Sequence, residues 1–215
     1  MTDKRFHLAW FMNFTPDEWR EPFAQGGGSP WDGQFYVEMA QTLERACFDY
    51  IMIEDKLMVP ETFGGNRDYS LSAGLIAPKH DPSPLAVAMG MATRHLGVIA
   101  TMSTMAYPPF LLARLSSTID SLTKGRFGWN IVTSAEDLAA QNFGMDVLPP
   151  REDRYAMAEE YLDVVNQLFA SWDPDAVVLD REKGIYADPA KVRTIDFKGK
   201  YFKVRGPLNT VPSPQ

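Results

Sequence analysis

Residues 97–132, GVIATMSTMAYPPFLLARLSSTIDSLTKGRFGWNIV, contain one complete strand-helix-strand unit. The apolar run 97–102 has the length of a strand, Pro108-Pro109 opens a helix, and Gly125 ends it. The inward face of this helix is expected to carry the apolar residues at helical spacing: Leu111, Leu115, Ile119 and Leu122. Residues 127–132 form the next predicted strand. Strands that alternate with helices in this way indicate an α/β fold with a parallel sheet.

The same alternation extends upstream. Phe6 to Met12 and Tyr50 to Ile53 are predicted strands, and Asp32-Gly33 opens a helix between them. Cys47 falls on the apolar side of that helical pattern and is expected to be a packing residue. Ser83-Pro84 has the form of an N-cap followed by a proline, so a helix is predicted from there to about His95.

Downstream, a long helix is predicted from about Glu152 to Phe169. Its buried face is expected to contain Tyr155, Leu162, Val165 and Phe169. From Ser171 the pattern changes, and Thr194 to Val204 alternates around Lys198-Gly199 like a hairpin. Residues 171–215 are therefore interpreted as an insertion that leads toward a fifth strand.

The lengths of the loops between strands and helices predict where a ligand-binding site lies. The helix-to-strand links are very short, whereas the strand-to-helix links 13–32, 54–82 and 133–150 are far longer than the roughly 2–6 residues usual for such loops. All the long loops follow the carboxyl ends of strands, the face on which barrels and open α/β sheets bind ligands. This asymmetry favours an enzyme.

Polar side chains cluster at the same strand ends. They are Glu54, Asp55, Thr101, Ser103, Asn130, Thr133 and Ser134. Individually they could cap strands and turns, but their common position on one rim favours a site. Arg151 to Tyr155 opens the long helix with basic and phenolic groups, a setting suited to a phosphate, although surface ion pairs with Glu152 and Asp153 explain it slightly better from the residues alone.

Composition and motifs exclude several classes. The net charge of -7 argues against nucleic acid, and the polar N-terminus and the lack of a long apolar run argue against secretion and membrane insertion, so a cytoplasmic protein is expected. His7, His80 and His95 lack partners at ligand spacing, so no metal is predicted. Neither G-x-G-x-x-G nor G-x-S-x-G occurs, which disfavours a Rossmann dinucleotide site and a serine hydrolase.

Three segments carry a resemblance to a known family: LGVIATMST at 96–104, PPFLLAR at 108–114 and GRFGWNIVTS at 125–134. Together they resemble the luciferase-like flavin monooxygenases, in the branch of nitrilotriacetate, long-chain alkane and dibenzothiophene sulfone monooxygenases. FDY at 48–50 and RY at 154–155 fit the same branch, and the tail from Trp172 to Leu208 looks most like the sulfone type.

The resemblance implies a (β/α)8 TIM barrel of the bacterial luciferase type, of which residues 1–215 are the N-terminal part: four βα units plus a hairpin insertion. Such a barrel typically needs about 250 residues, so this part cannot close alone. It also implies the oxygenase component of a two-component system. A separate NAD(P)H:FMN reductase supplies FMNH2, which reacts with O2, and the flavin C4a-hydroperoxide inserts one oxygen atom into a small organic substrate. A homo-oligomer is expected for the full-length protein.

Carried over by position, the family's flavin contacts fall on Asp55, Thr101, Tyr155 and Arg151, the last at a place where relatives can have histidine. A further family contact, a serine beyond the fifth strand, lies outside this chain. We add Asn130 as a rim residue near the flavin ring. Trp10, Phe11 and Asn13, which end the first strand, are candidate substrate-pocket residues on position alone.

Two alternatives stay open at this point. The first is an oxidoreductase of the same superfamily that uses the deazaflavin F420 for hydride transfer. The second is a non-catalytic flavin-binding protein, which the short chain favours. The sequence does not decide the substrate, because the substrate depends on the long loops and on residues beyond this chain.

Overall fold

A computed structural model describes residues 6–12 and 32–210. Its centre is a parallel four-stranded sheet in the order β1-β2-β3-β4. The strands are β1 (Ala9–Met12), β2 (Tyr50–Ile53), β3 (Gly97–Ser103) and β4 (Phe127–Val132). Within the described residues, β1 and β4 are edge strands. The sheet is therefore open at both sides.

The other elements connect and cover these strands. The helices are α1 (Gly33–Arg45), α2 (Asp68–Ala73), α3 (Pro82–Met91), α4 (Pro109–Thr123), α5 (Asp137–Gln141) and α6 (Arg151–Phe169). Two antiparallel hairpins follow: β5 (Val177–Asp180) with β6 (Ile185–Ala187), and β7 (Phe197–Lys198) with β8 (Lys203–Val204). No helix in the described ranges is long and apolar enough to cross a membrane.

One face of the sheet is packed against helices. In β2 and β3 the side chains on this face are completely buried: Ile51, Ile53, Val98, Ala100 and Met102. They contact apolar residues of α1, α3 and α4. A second cluster joins α4 to α6, where the hydroxyl of the fully buried Tyr161 donates a 2.8 Å hydrogen bond to the carbonyl oxygen of Tyr107. Burial of this apolar area is the main stabilising contribution.

The opposite face is much less covered. Because side chains alternate along a strand, Phe11, Met52 and Ile99 share this second face. Met52 and Ile99 are partly exposed, and the exposed fraction of Phe11 is 56%. Parallel sheets are normally buried on both faces. This face is therefore unusually open for a parallel sheet.

The predicted βα alternation is confirmed. The strands at 50–53 and 127–132 match to the residue, and the hairpin predicted within Thr194 to Val204 is β7–β8. The first strand is shorter than predicted, since it begins at Ala9 and Phe6 is almost fully exposed.

The buried faces of two helices were predicted only in part: Ile119 and Val165 are buried as expected, and other members of each face are not. In α4, Leu111 and Leu122 are exposed, whereas polar residues on the adjacent stripe face the core: Ser116, Ser117, Asp120 and Thr123. Asp120 explains part of this rotation, because its carboxylate accepts a hydrogen bond from the backbone N–H of Phe127 at the start of β4. In α6, Tyr155 and Phe169 are about half exposed, and Tyr161, Val164 and Leu168 are buried in their place.

Three local predictions also need correction. Cys47 is exposed and follows the end of α1 at φ 61°, so it does not pack in the core. Asp81, not Ser83, caps α3, because its carboxylate accepts from the N–H of Ser83, and the helix ends at Met91. The sequence reading missed the hairpin β5–β6 and the short helices α2 and α5 inside the long loops.

Candidate active site

A cavity of about 540 Å³ lies at the carboxyl ends of the strands, as the loop lengths predicted. The residues after β2 line it, together with the ends of β3 and β4, the loop after β4 and residues of α6. Four of the five predicted cofactor residues meet here: Asp55, Thr101, Asn130 and Tyr155. They come from four separate segments, so only the folded sheet brings them together.

Thr101 and Asn130 form the centre of this site. They are register partners on adjacent strands, and the Asn130 Nδ2 donates a 2.9 Å hydrogen bond to the Thr101 Oγ1. Thr101 is buried, with 3% of its surface exposed. Since its oxygen already accepts from Asn130, its own hydroxyl hydrogen is left to donate, and no acceptor for it occurs among the described residues. A buried donor of this kind is suited to an acceptor atom on a ligand.

Asp55 lies at the start of the loop after β2, and its carboxyl has a raised pKa. Burial raises the pKa of its carboxyl to about 6, the Lys79 ammonium opposes that rise, and the Asp81 carboxylate adds to it. A carboxyl with this pKa is half protonated near pH 6 and mostly ionised at pH 7. It can therefore accept a hydrogen bond from a ligand N–H or give up a proton to it.

Three residues that the sequence analysis did not identify interact electrostatically with Asp55: Lys79, Asp81 and Tyr107. Lys79 donates a 3.0 Å ion-paired hydrogen bond to Glu54, and the lysine side chain is largely buried. The phenol of Tyr107 donates to the Asp81 carboxylate, and burial followed by the charges of Asp81 and Asp55 raises its pKa to about 12. The N-cap position of Asp81 before Pro82 was the available sequence signal, but nothing in the sequence relates it to Asp55.

The far side of the cavity is hydroxyl-rich. Ser103 and Ser134, at the ends of β3 and β4, are joined by a 2.8 Å hydrogen bond between their Oγ atoms. Ser134 has φ 60°, a left-handed conformation that is uncommon outside glycine and that turns the chain sharply after the strand. Lys56 and Glu136 form an ion pair on the same wall and join the loops that follow β2 and β4.

Arg151 and Tyr155 lie one helical turn apart at the start of α6. The Arg151 guanidinium stacks over the Tyr155 ring, 5.3 Å from its centroid. Tyr155 lines the cavity, whereas Arg151 lies outside its wall. No side chain caps the N-terminus of α6, and among the described residues no ion pair joins Arg151 to Glu152 or Asp153. The surface ion-pair alternative is therefore not observed.

The two described substrate candidates, Trp10 and Phe11, lie on opposite faces of the sheet. Trp10 points to the helix-covered face, where its ring meets that of Phe48 edge-on at 6.1 Å. Phe11 lies on the opposite face, the one that carries Thr101, although it is not part of the cavity wall. Asn13 lies outside the described residues.

Comparison with known proteins identifies the relatives of this fold and site. Residues 14–215 match the family model described as luciferase-like monooxygenase. The chain is 40% identical over 222 residues to the dibenzothiophene-sulfone monooxygenase of Rhodococcus erythropolis strain XP, an alignment that covers 100% of this chain and 49% of that protein.

Solved structures agree with the sequence comparison. The crystal structure of a long-chain alkane monooxygenase superposes with a TM-score of 0.91 at 37% identity, covering 100% of this chain and 50% of the other. A riboflavin lyase solved with modified FMN and riboflavin superposes with a TM-score of 0.89 at 33% identity, covering 99% and 48% of the two chains. The chain thus spans about half the length of the relatives it matches.

Proposed function

Because the chain belongs to the luciferase-like monooxygenase family, we propose that it supplies the FMN-binding rim of a flavin-dependent monooxygenase. The full polypeptide would use reduced FMN and O2 to insert one oxygen atom into a small organic substrate. The names of the relatives support this class of reaction: alkane, sulfone, dimethyl-sulfide and nitrilotriacetate monooxygenases occur among them.

One observation carries the proposal. Thr101 is a buried hydroxyl that already accepts a hydrogen bond from Asn130, and it faces a cavity bounded by Asp55 and Tyr155. A flavin ring offers both classes of atom that this set requires, carbonyl oxygens as acceptors and ring N–H groups as donors. The donor set therefore fits the polar edge of a flavin.

The remaining lining fits the other parts of FMN. Ile131, Val132 and Leu162 give the cavity an apolar side against which an aromatic ring packs. Arg151, Tyr155 and the uncapped start of α6 present positive charge and N–H donors to the phosphate. When bound, reduced FMN would supply the oxygen chemistry, and these residues would bind it, orient it and keep water away from it.

We further propose that residues 1–215 form the first half of a closed barrel. The half-length match to the relatives supports this, as do the two open sheet edges and the partly exposed face around Phe11. Closure would bury that face and complete the flavin site. A separate NAD(P)H-dependent reductase would deliver FMNH2, in keeping with a relative named as component A of nitrilotriacetate monooxygenase.

The test uses the full-length polypeptide with a reductase that supplies FMNH2. Product is analysed after turnover under isotopically labelled O2 with sulfones, alkanes and aminopolycarboxylates as substrates. We expect one labelled oxygen atom in the product and dependence on FMNH2. Binding of reduced deazaflavin in place of FMNH2 would contradict the proposal and would favour the F420 alternative.

A further inference from the structure

A second cavity, of about 440 Å³, lies on the other side of α6 from the flavin site. It is a half-open depression bordered by the loop after β3, the segment that leads into α6, and the second hairpin. Its walls are mainly apolar: Met105, Phe143, Met145, Leu148, Met157 and Phe202. Volumes of roughly 300–1,000 Å³ are typical of sites for small molecules.

One cation lies in this apolar wall. Arg154 donates a 2.7 Å hydrogen bond from its Nη1 to the carbonyl oxygen of Pro149. Its Nε is buried and has no acceptor among the described residues. No carboxylate in the described part of the chain forms an ion pair with the guanidinium, although Glu152 and Asp153 belong to the same turn.

This arrangement is costly without a partner. A buried donor that lacks an acceptor destabilises the folded protein, and the cost is greater when the group is charged. Guanidinium groups bind carboxylates and sulfonates through paired, charge-assisted hydrogen bonds. The apolar wall adds a preference for hydrocarbon or aromatic bodies. Tyr107 also borders the cavity, but its hydroxyl is already donated to Asp81.

We propose that this cavity is a binding site for a small organic anion with an apolar body, whose charged group pairs with Arg154. The site is distinct from the flavin cavity. Arg154 and Tyr155 are consecutive residues of α6, so their side chains leave the helix in different directions, and Thr133 alone is common to the two walls. The inference is independent of the proposed cofactor.

The probe is anilinonaphthalene sulfonate, an aromatic sulfonate, with the uncharged N-phenylnaphthylamine as its comparison. Isotope-labelled methionine methyl groups report where it binds by NMR. We expect sulfonate to shift the methyl signals of Met105, Met145 and Met157. The signals of Met89 in the core and Met91 on the surface should stay in place.

Arg154→Met keeps an unbranched apolar side chain and removes the charged guanidinium. We expect it to weaken sulfonate binding about tenfold or more and to leave binding of the uncharged probe unchanged. Arg154→Lys should retain part of the affinity. Arg114→Met, which removes an exposed arginine from α4, is the matched control and should bind the sulfonate like the native protein.

Met157→Trp fills the cavity and tests the site even if Arg154→Met does not fold. Circular dichroism establishes which variants keep the native fold. Loss of sulfonate binding in a folded Met157→Trp protein supports the proposal. Two results would overturn it: native sulfonate affinity in folded Arg154→Met or Met157→Trp, or methyl shifts that miss the three cavity methionines.

Discussion

The Asn130 amide donates a 2.9 Å hydrogen bond to the Thr101 hydroxyl across two parallel strands, at the rim where those strands end. This contact fixes the direction of the threonine oxygen and leaves its hydrogen for a ligand. It also satisfies part of the hydrogen-bonding capacity of both polar side chains.

Thr101→Val should weaken FMNH2 binding by about tenfold in the full-length protein, because the shape of the side chain is kept while one hydrogen bond to the cofactor is lost. Anaerobic fluorescence titration measures the change. Thr118→Val, on the exposed side of α4, is the control and should bind like the native protein. Unchanged affinity in Thr101→Val would remove this residue from the site.

Riboflavin should bind much more weakly than FMN, because it lacks the phosphate that Arg151, Tyr155 and the start of α6 are proposed to hold. Arg151→Ala should lower the ratio of the riboflavin dissociation constant to the FMN dissociation constant by about tenfold. Arg114→Ala should leave the ratio as it is. Equal binding of riboflavin and FMN by the native protein would rule out a phosphate site here.

Asp55→Asn should change how stability depends on pH. Burial raises the folded-state pKa of Asp55 to about 6, above the value of about 3.9 in an unfolded chain. The protonated carboxyl therefore contributes stability that is fully present below pH 4 and is lost as the pH rises through 6. Asparagine does not ionise, so the free energy of unfolding of the variant should rise relative to that of the native protein by about 1–2 kcal/mol between pH 4 and pH 6. This is less than the full pKa shift implies, because the carboxyl is partly exposed.

Urea unfolding at a series of pH values measures this difference. Asp49→Asn is a control of opposite sign, since the N–H of Leu8 and the His7 side chain lower the pKa of Asp49. That carboxylate contributes stability above its unfolded pKa, which is lost as the pH falls. A flat difference between native protein and Asp55→Asn from pH 4 to 7 would show that Asp55 is not perturbed.

Tyr161→Phe should lower the free energy of unfolding by about 1–3 kcal/mol, because it leaves the buried carbonyl oxygen of Tyr107 without its hydrogen bond. Tyr186→Phe on the exposed hairpin β5–β6 should change it by less than about 0.5 kcal/mol. Chemical denaturation compares the two. Equal stability of both variants would mean that the hydroxyl of Tyr161 does not tie α6 to the loop after β3.

The sequence predicted the elements that depend on local pattern. The strand at 50–53 and the strand at 127–132 follow from apolar runs bounded by turn residues, and the rim position of Thr101 and Asn130 follows from the strand ends. The exposed Leu111 was mispredicted because α4 turns polar residues inward, among them Asp120, which binds the backbone of the next strand. Apolar spacing cannot reveal such a contact.

The charged and phenolic groups around Asp55 could not be predicted from the sequence for a related reason. Lys79 and Asp81 lie in the segment before α3 and Tyr107 lies in the loop after β3, and only the packed sheet places them around one carboxyl. Arg154 was visible in the sequence as part of a family motif, but its unpartnered Nε depends on the cavity around it. Pairings between distant loops are set by tertiary structure and leave no periodic signal.

The central claim, that the rim built on Thr101 and Asn130 holds FMN, is tested most directly by a crystal structure of the full-length protein with FMN bound. We expect the polar edge of the flavin ring to lie within about 3 Å of the Thr101 Oγ1. We also expect the phosphate beside Arg151 and Tyr155. A flavin ring bound elsewhere, with the 540 Å³ cavity left to solvent, would contradict the claim.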